Sequence, residues 1–287
     1  MIVFVGLVVV FGSVLGGFTM AGGHVGALIH PSELITIGGA ALGALIIMSP
    51  KKVLIDLMHG MIQTIKGSPY GKKAYDELFR VMYELARLSR VNGILALEPH
   101  VTDPHSSTIF QKYPGIAKNH HATGLICGLL SPVIDGAITP DKVPELAAAE
   151  LKAIENEHHG PLFVLTKTAD GLPGFGIVAA VLGIVVTMAN IDGPVEEIGH
   201  SMGAALVGTF LGILMSYGVF APLAAKLEFL GHEEMAFFHT VAAVVEGIVG
   251  NQAPKVCIEM ACRGLSSDVR LDGEELKELF SAVEKAG

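Results

Sequence analysis

Lysine and arginine are missing from residues 1–50 and from residues 168–225. All 19 cationic side chains fall between Lys51 and Lys167 or between Lys226 and Lys285. The cation-free stretches are also the most apolar in the chain. Cationic side chains are costly in hydrocarbon and collect on the cytoplasmic side of membrane spans. The partition therefore predicts two pairs of transmembrane helices separated by a large cytoplasmic insert. Charge is scarce throughout: 16% of residues are Asp, Glu, Lys or Arg, against ~25% in soluble domains. Mean hydropathy is +0.56. The net charge of −9 argues against a nucleic-acid-binding surface. Cysteine is also scarce, and Cys127, Cys257 and Cys262 lack paired metal spacing. In a reducing cytoplasm they are expected to be free thiols. No Lys or Arg precedes the first apolar run, whereas a cleavable signal peptide has a cationic start. That run is expected to stay as the first span.

A bilayer core of ~30 Å takes about 20 helical residues. Four segments qualify: about Ile2–Met20, about Leu34–Met48 with its flank from Leu28, about Leu172–Ile191, and about Ser201–Leu223. Lys51-Lys52 and Lys226 put the ends of spans two and four in the cytoplasm. With four spans, both termini are then cytoplasmic. Two other apolar runs, Leu125–Ile138 and Met235–Val249, are short and interrupted by polar residues. They are expected to be buried or interfacial helices. Pro69–Leu97 carries Leu78, Phe79, Met82, Leu85 and Leu88 near a 3.6-residue period, and Asp141–His158 suits a capped surface helix. No β-alternation and no internal repeat is present. The chain reads as an all-α membrane protein: spans one and two in 1–50, a helical cytoplasmic domain in 51–170, spans three and four in 171–225, and a cytoplasmic tail in 226–287.

The span interiors lack Asp, Glu, Lys and Arg. Glu33 falls at the edge of span two and Asp170 just before span three. Thr187 and Thr209 offer hydroxyls, and a lone span threonine usually bonds its own i−4 carbonyl. A cation transporter usually carries an ionisable group near the midplane, so another polypeptide is expected to supply the carboxylate. Spans two, three and four are instead rich in Gly and Ala, including the pair Gly208 and Gly212, and small residues let helix backbones approach. Their number suggests packing against further helices beyond this chain. Pro173 is expected to open span three, where a missing N–H is harmless. Pro222 falls inside a run that would otherwise stay helical, where it removes one backbone bond and kinks the helix; termination at the membrane surface and a hinge to the cytoplasmic part are equally open.

No nucleophile–base pair, phosphate loop or dinucleotide fingerprint occurs, so the chain is not expected to be an enzyme. The twelve histidines include His120-His121 and His158-His159. Adjacent helical histidines point about 100° apart, and no Cys or acidic spacing completes a metal site. No metal or cofactor is expected. Asp192, Glu196 and Glu197 put an acidic rim on the loop between spans three and four. It could gather cations at a pore mouth, but a solvated turn is the expected reading.

Residues Ala169 to Gly176 and on to Gly183 resemble the start of the third span in the MotA family of flagellar motor stator subunits. So do Ile198-Gly199 through Met202, Ala204-Ala205-Leu206, Thr209 and Gly212. Pro222 stands where that family has its fourth-span proline, and Leu85 to Arg90, Gly93 and Glu98 are similar to its rotor-facing segment. The resemblance covers essentially the whole chain, and several separated motifs keep their order. Related ExbB and TolQ proteins, which energise outer-membrane processes, have three spans and fit less well.

The resemblance implies a ring of subunits, a pentamer, around single-span MotB helices. These supply an ion-binding aspartate and a peptidoglycan-binding domain. It places the protein in the bacterial inner membrane, with ion flow turning the ring against the rotor protein FliG. Carried over, Arg90 and Glu98 are the rotor-contact charges, Pro173 and Pro222 the conduction-linked prolines, and Thr209 the pore-facing hydroxyl. Sodium-driven relatives have extra threonines where Ala180 and Gly208 stand here, so the expected ion is a proton. Ala180 and Gly208 would then belong to a smooth face along which the partner helix steps. On an unbroken helix Arg90 and Glu98, eight apart, would share a face, although Gly93 is placed to interrupt it.

Overall fold

The computed structural model describes residues 2–286. Twelve α-helices run in the order α1 (Ile2–Met20), α2 (Pro31–Met48), α3 (Lys51–Lys66), α4 (Lys72–Asn92), α5 (Glu98–Thr102), α6 (Pro114–Ala117), α7 (His120–Ile134), α8 (Val143–Ala189), α9 (Val195–Met215), α10 (Ala221–Val249), α11 (Pro254–Arg263) and α12 (Gly273–Ala286). No strand occurs among the described residues. Four helical segments are long and apolar enough to cross a membrane: Ile2–Met20, Val25–Met48, Pro140–Ala189 and Val195–Val249. The chain divides into two compact units, residues 1–67 with 157–230, and residues 68–156 with 231–287.

The first unit holds the spans. Ile37 and Ala41 of α2 are buried with Leu172 and Ala179 of α8. Leu57 of α3 is buried with Val164 and Leu165 of α8 and Ala224 of α10. Helix α1 buries no residue of its own. It is apolar on every side, which is the pattern of a helix whose cover is lipid or another chain.

Helix α8 corrects one expectation. The segment 141–158 and the third span are one continuous 47-residue helix, with Pro161 and Pro173 inside it. Pro173 therefore does not open the span. Each proline removes one N–H from the ladder, opposite the carbonyls of Glu157 and Ala169. The neighbours Val164, Leu165, Ala169 and Leu172 are all buried, and this packing outweighs the local penalty. The fourth span behaves differently. After α9 the residues Ser216–Phe220 form one π-helical turn, and the Ala221 N–H reaches back five residues to the Ser216 carbonyl. Pro222 follows at once. A proline ring clashes with the carbonyl four residues before it, here that of Gly218. The widened turn takes up that clash while the helix continues as α10.

The second unit is a soluble-type core. Tyr75, Leu78, Phe79, Met82 and Leu85 of α4 are buried with Ile126 and Leu129 of α7, Phe237, Phe238, Val241 and Val245 of α10, and Leu279 and Phe280 of α12. The runs Leu125–Ile138 and Met235–Val249 are thus interior helices of this unit; the first stops at Ile134. Tyrosines at the edge of this core reach glutamates. Tyr70 donates to Glu234, Tyr83 to Glu284 and Tyr113 to Glu84, each at 2.7 Å. Burial pushes all three phenols above their ordinary range. Lys255, with the Tyr83 hydroxyl, holds the Glu284 carboxyl below its own.

Candidate ion path and partner-facing surfaces

Glycine brings α8 and α9 together backbone to backbone. A Cβ placed on Gly176 would lie 2.8 Å from the Gly208 carbonyl oxygen and 3.3 Å from the Thr209 Cα. One on Gly212 would lie 2.7 Å from the Leu172 carbonyl oxygen, and one on Gly183 would lie 2.9 Å from the Ala205 Cβ. No side chain larger than hydrogen fits these positions without separating the helices. Much of the small surface seen in the sequence is therefore consumed inside this chain, contrary to the expectation that it serves external helices. Gly174, Gly199 and Gly203 differ, because a Cβ on any of them meets nothing within 4 Å.

The site residues expected from the sequence fall in several settings. Thr209 is half-buried beside the Gly176 contact. Ala180 and Gly208 are buried within the first unit, and a Cβ on Gly208 would lie 3.2 Å from the Ala179 Cβ and 2.6 Å from Glu33 Oε2. That face of Gly208 is filled by this chain and is no track for another helix. Pro173 and Pro222 sit inside α8 and α10. Thr187 donates to the Gly183 carbonyl at 2.8 Å, the ordinary i−4 bond of a span threonine.

Arg90 and Glu98 lie in the second unit. Helix α4 ends at Gly93, whose φ of +82° turns the chain in a region that glycine alone enters freely. Glu98 then starts α5, exposed in its first turn, where a carboxylate complements the helix dipole. The two charges are not on one helix face. Arg90 is also not a free charge: its Nη1 donates to the Asn251 carbonyl at 2.8 Å and to Asn251 Oδ1 at 2.5 Å. Next to these charges Val91 and Leu95 are 81% and 65% exposed.

Sequence reasoning missed Glu33 as a span residue. It lies in the first turn of α2 and is only 6% exposed, and its Oε2 has no hydrogen-bond partner. One turn earlier, the His30 ring meets the His200 ring of α9 edge to face at 5.5 Å. Among the described residues no three His, Cys, Asp or Glu side chains come together as a metal site.

Comparison with known proteins supplies a context for this geometry. Residues 4–93 match the family described as "Motility protein A N-terminal", and residues 117–240 match the "MotA/TolQ/ExbB proton channel family". The chain is 36% identical to Motility protein A of Salmonella typhimurium, over 99% of this chain and 96% of that protein. It is 35% identical to the Chemotaxis protein LafT of Vibrio parahaemolyticus, over 98% and 96%. Among solved structures, a chain of C. jejuni MotAB superposes with a TM-score of 0.75 at 21% identity, covering 94% of this chain and 98% of that one. A chain of the Bacillus subtilis MotAB stator complex gives 0.70 at 24%, covering 90% and 92%. These two superpositions speak for the fold.

Proposed function

The chain belongs to the motility protein A family, and on that premise we propose that it is the membrane stator subunit of a bacterial flagellar motor. The near full-length identity to a motility protein carries this reading. The ExbB/TolQ alternative is not favoured, because the motility-specific N-terminal family matches residues 4–93. In this reading the chain works without chemistry of its own, as an ion-driven machine rather than an enzyme. Subunits form a pentameric ring around a MotB-like single-span partner, whose intramembrane Asp takes the ion and whose outer domain grips peptidoglycan. The complex sits in the inner membrane with both termini of this chain in the cytoplasm. Arg90 and Glu98 face the rotor protein FliG.

The ion is a proton. A sodium ion needs several oxygen ligands, and Ala180 and Gly208 contribute none. A neutral carboxyl on the partner can pass an apolar helix face, while a charged one is held back by desolvation. A membrane potential of ~150 mV supplies ~3.5 kcal/mol per charge, enough to bias a two-state rotation. Thr209 borders this path, and the Pro173 and Pro222 helices give when the ring steps. The test is a strain deleted for this gene. This chain with its partner should restore swimming in soft agar and should copurify with a single-span protein bearing a membrane Asp. Failure of both would refute the assignment.

A further inference from the structure

We propose that Glu33 is a proton-binding site belonging to this chain itself, one per subunit, where the first turn of α2 meets α8 and α9. The proposal rests on the stator reading above and adds to it a titrating group outside the partner helix. Three observations carry it. First, Glu33 is more than nine-tenths buried within its own chain, so lipid or partner packing does not create its burial. Second, its Oε2 is buried without a hydrogen-bond partner. A charged oxygen shut from water with no donor is an unfavourable end state, and a proton is the smallest partner that relieves it. Third, the carboxyl occupies a notch made for it. At Gly176 and Gly212 the missing side chains let α8 and α9 backbones touch, but at Gly208 a Cβ would lie 2.6 Å from Oε2 and 3.2 Å from the Ala179 methyl.

The surroundings connect this oxygen to the aqueous side. His30 stands just before α2, three residues ahead of Glu33, and His200 faces His30 from α9 with ring centroids 5.5 Å apart. His200 is exposed and His30 is half-buried. Helix α8, the third element packed here, has no ionisable side chain between Asp170 and its end at Ala189. Nothing on it competes for the proton or fixes the carboxylate as an ion pair. The step is simple: Oε2 takes one H+ from the side of the histidine pair, where His200 meets water, and becomes the carboxylic O–H. Its release restores the carboxylate, and no other bond changes.

The experiment uses the complete complex of chain and partner in liposomes. Infrared difference spectra between acid and alkaline medium should contain a carboxylic C=O band that moves on 13C-glutamate labelling. The band should vanish in Glu33→Gln and persist when the partner's membrane Asp is changed to Asn. In cells Glu33→Gln should swim more slowly than wild type, and Glu33→Asp should recover speed with a displaced dependence on external pH. A band unchanged in Glu33→Gln, or wild-type swimming of that variant across the pH range, would overturn the proposal. If Glu33→Gln does not insert, the labelled wild-type spectrum decides, since absence of a glutamate C=O band has the same force. Wild-type complementation in the same strain keeps this failure distinct from failure of the stator reading.

Discussion

Arg90 closes the turn at Asn251. One nitrogen of its guanidinium donates both to the carbonyl and to the side-chain oxygen of that residue, which has a left-handed backbone with φ of +55°. The turn follows the end of α10, where the Asn251 N–H bonds the Ile248 carbonyl and the Gln252 N–H bonds the Gly247 carbonyl. A cation at a helix C-terminus also complements the dipole. Arg90 therefore has two roles to separate: a surface charge offered to a rotor and a clamp on its own unit. Both partners are exposed, so the clamp is weak, about 0.5–1 kcal/mol. Arg90→Ala should lower the melting temperature by about 2 °C. Asn251→Gly keeps the left-handed turn and removes only the Oδ1 bond. It should cost less stability and leave swimming near normal, while Arg90→Glu should abolish swimming and recover it when the rotor charge is reversed. Equal swimming defects in Asn251→Gly and Arg90→Ala would assign Arg90 to the clamp.

The glycine contacts between α8 and α9 predict a sharp positional contrast. A methyl at Gly212 would lie 2.7 Å from the Leu172 carbonyl oxygen and 2.9 Å from the Gly176 Cα, and neither atom is the movable end of a side chain. Gly212→Ala and Gly176→Ala should each destabilise the chain by about 1–3 kcal/mol, as overpacking does. Gly199→Ala and Gly203→Ala meet no atom of this chain and, lying inside α9, should raise its stability by about 0.5–1 kcal/mol. Thermal unfolding of the purified chain in detergent checks both halves of the contrast.

Much of this architecture is legible in the sequence, and the failures have physical causes. The absence of cations located the spans, because the membrane punishes charge more strongly than any packing rewards it. The 3.6-residue period found α4, and Gly93 ended it as glycine at a helix terminus does. Pro173 misled, since a proline's local cost of ~3 kcal/mol is visible in sequence while the tertiary packing that overrides it is not. Gly208 and Gly212 announced close approach but not against what. Glu33 was hidden for a related reason: a carboxylate at a span's edge reads as a flank, and the notch at Gly208 that buries it comes from a residue 175 positions later.

The π turn before Pro222 yields a third prediction. Ser216–Phe220 holds an extra residue in one turn, and the proline ring keeps it there by excluding the Gly218 carbonyl. In Pro222→Ala the N–H returns and the segment is free to wind as regular α-helix. Replacing a helix-interior proline should not destabilise the helix, so melting should stay equal or rise. Swimming should fall if the irregular turn is what allows the fourth span to give. A swimming variant of unchanged stability would show the turn to be a tolerated irregularity.

His100 predicts how the second unit responds to acid. The Ser107 hydroxyl is buried and accepts the backbone N–H groups of Ile109 and Phe110, each at 3.3 Å. With both its lone pairs used, the hydroxyl donates its own proton to His100 Nδ1, 2.7 Å away. Protonating the imidazole would replace that acceptor with a second donor. Burial lowers the His100 pKa from its ordinary value, with Glu84 opposing. The sign follows directly. As pH falls below ~6.5 the unfolded chain takes up this proton before the folded one. Stability declines from there until the folded pKa is passed, and this contribution then levels off. His100→Asn, which has no proton to take up in that range, should remove this part of the acid loss. Melting temperatures of the full chain in detergent between pH 7 and 5 measure it, and the wild type should fall more steeply than the variant. Parallel curves would mean that the Ser107 contact does not discriminate between the two protonation states.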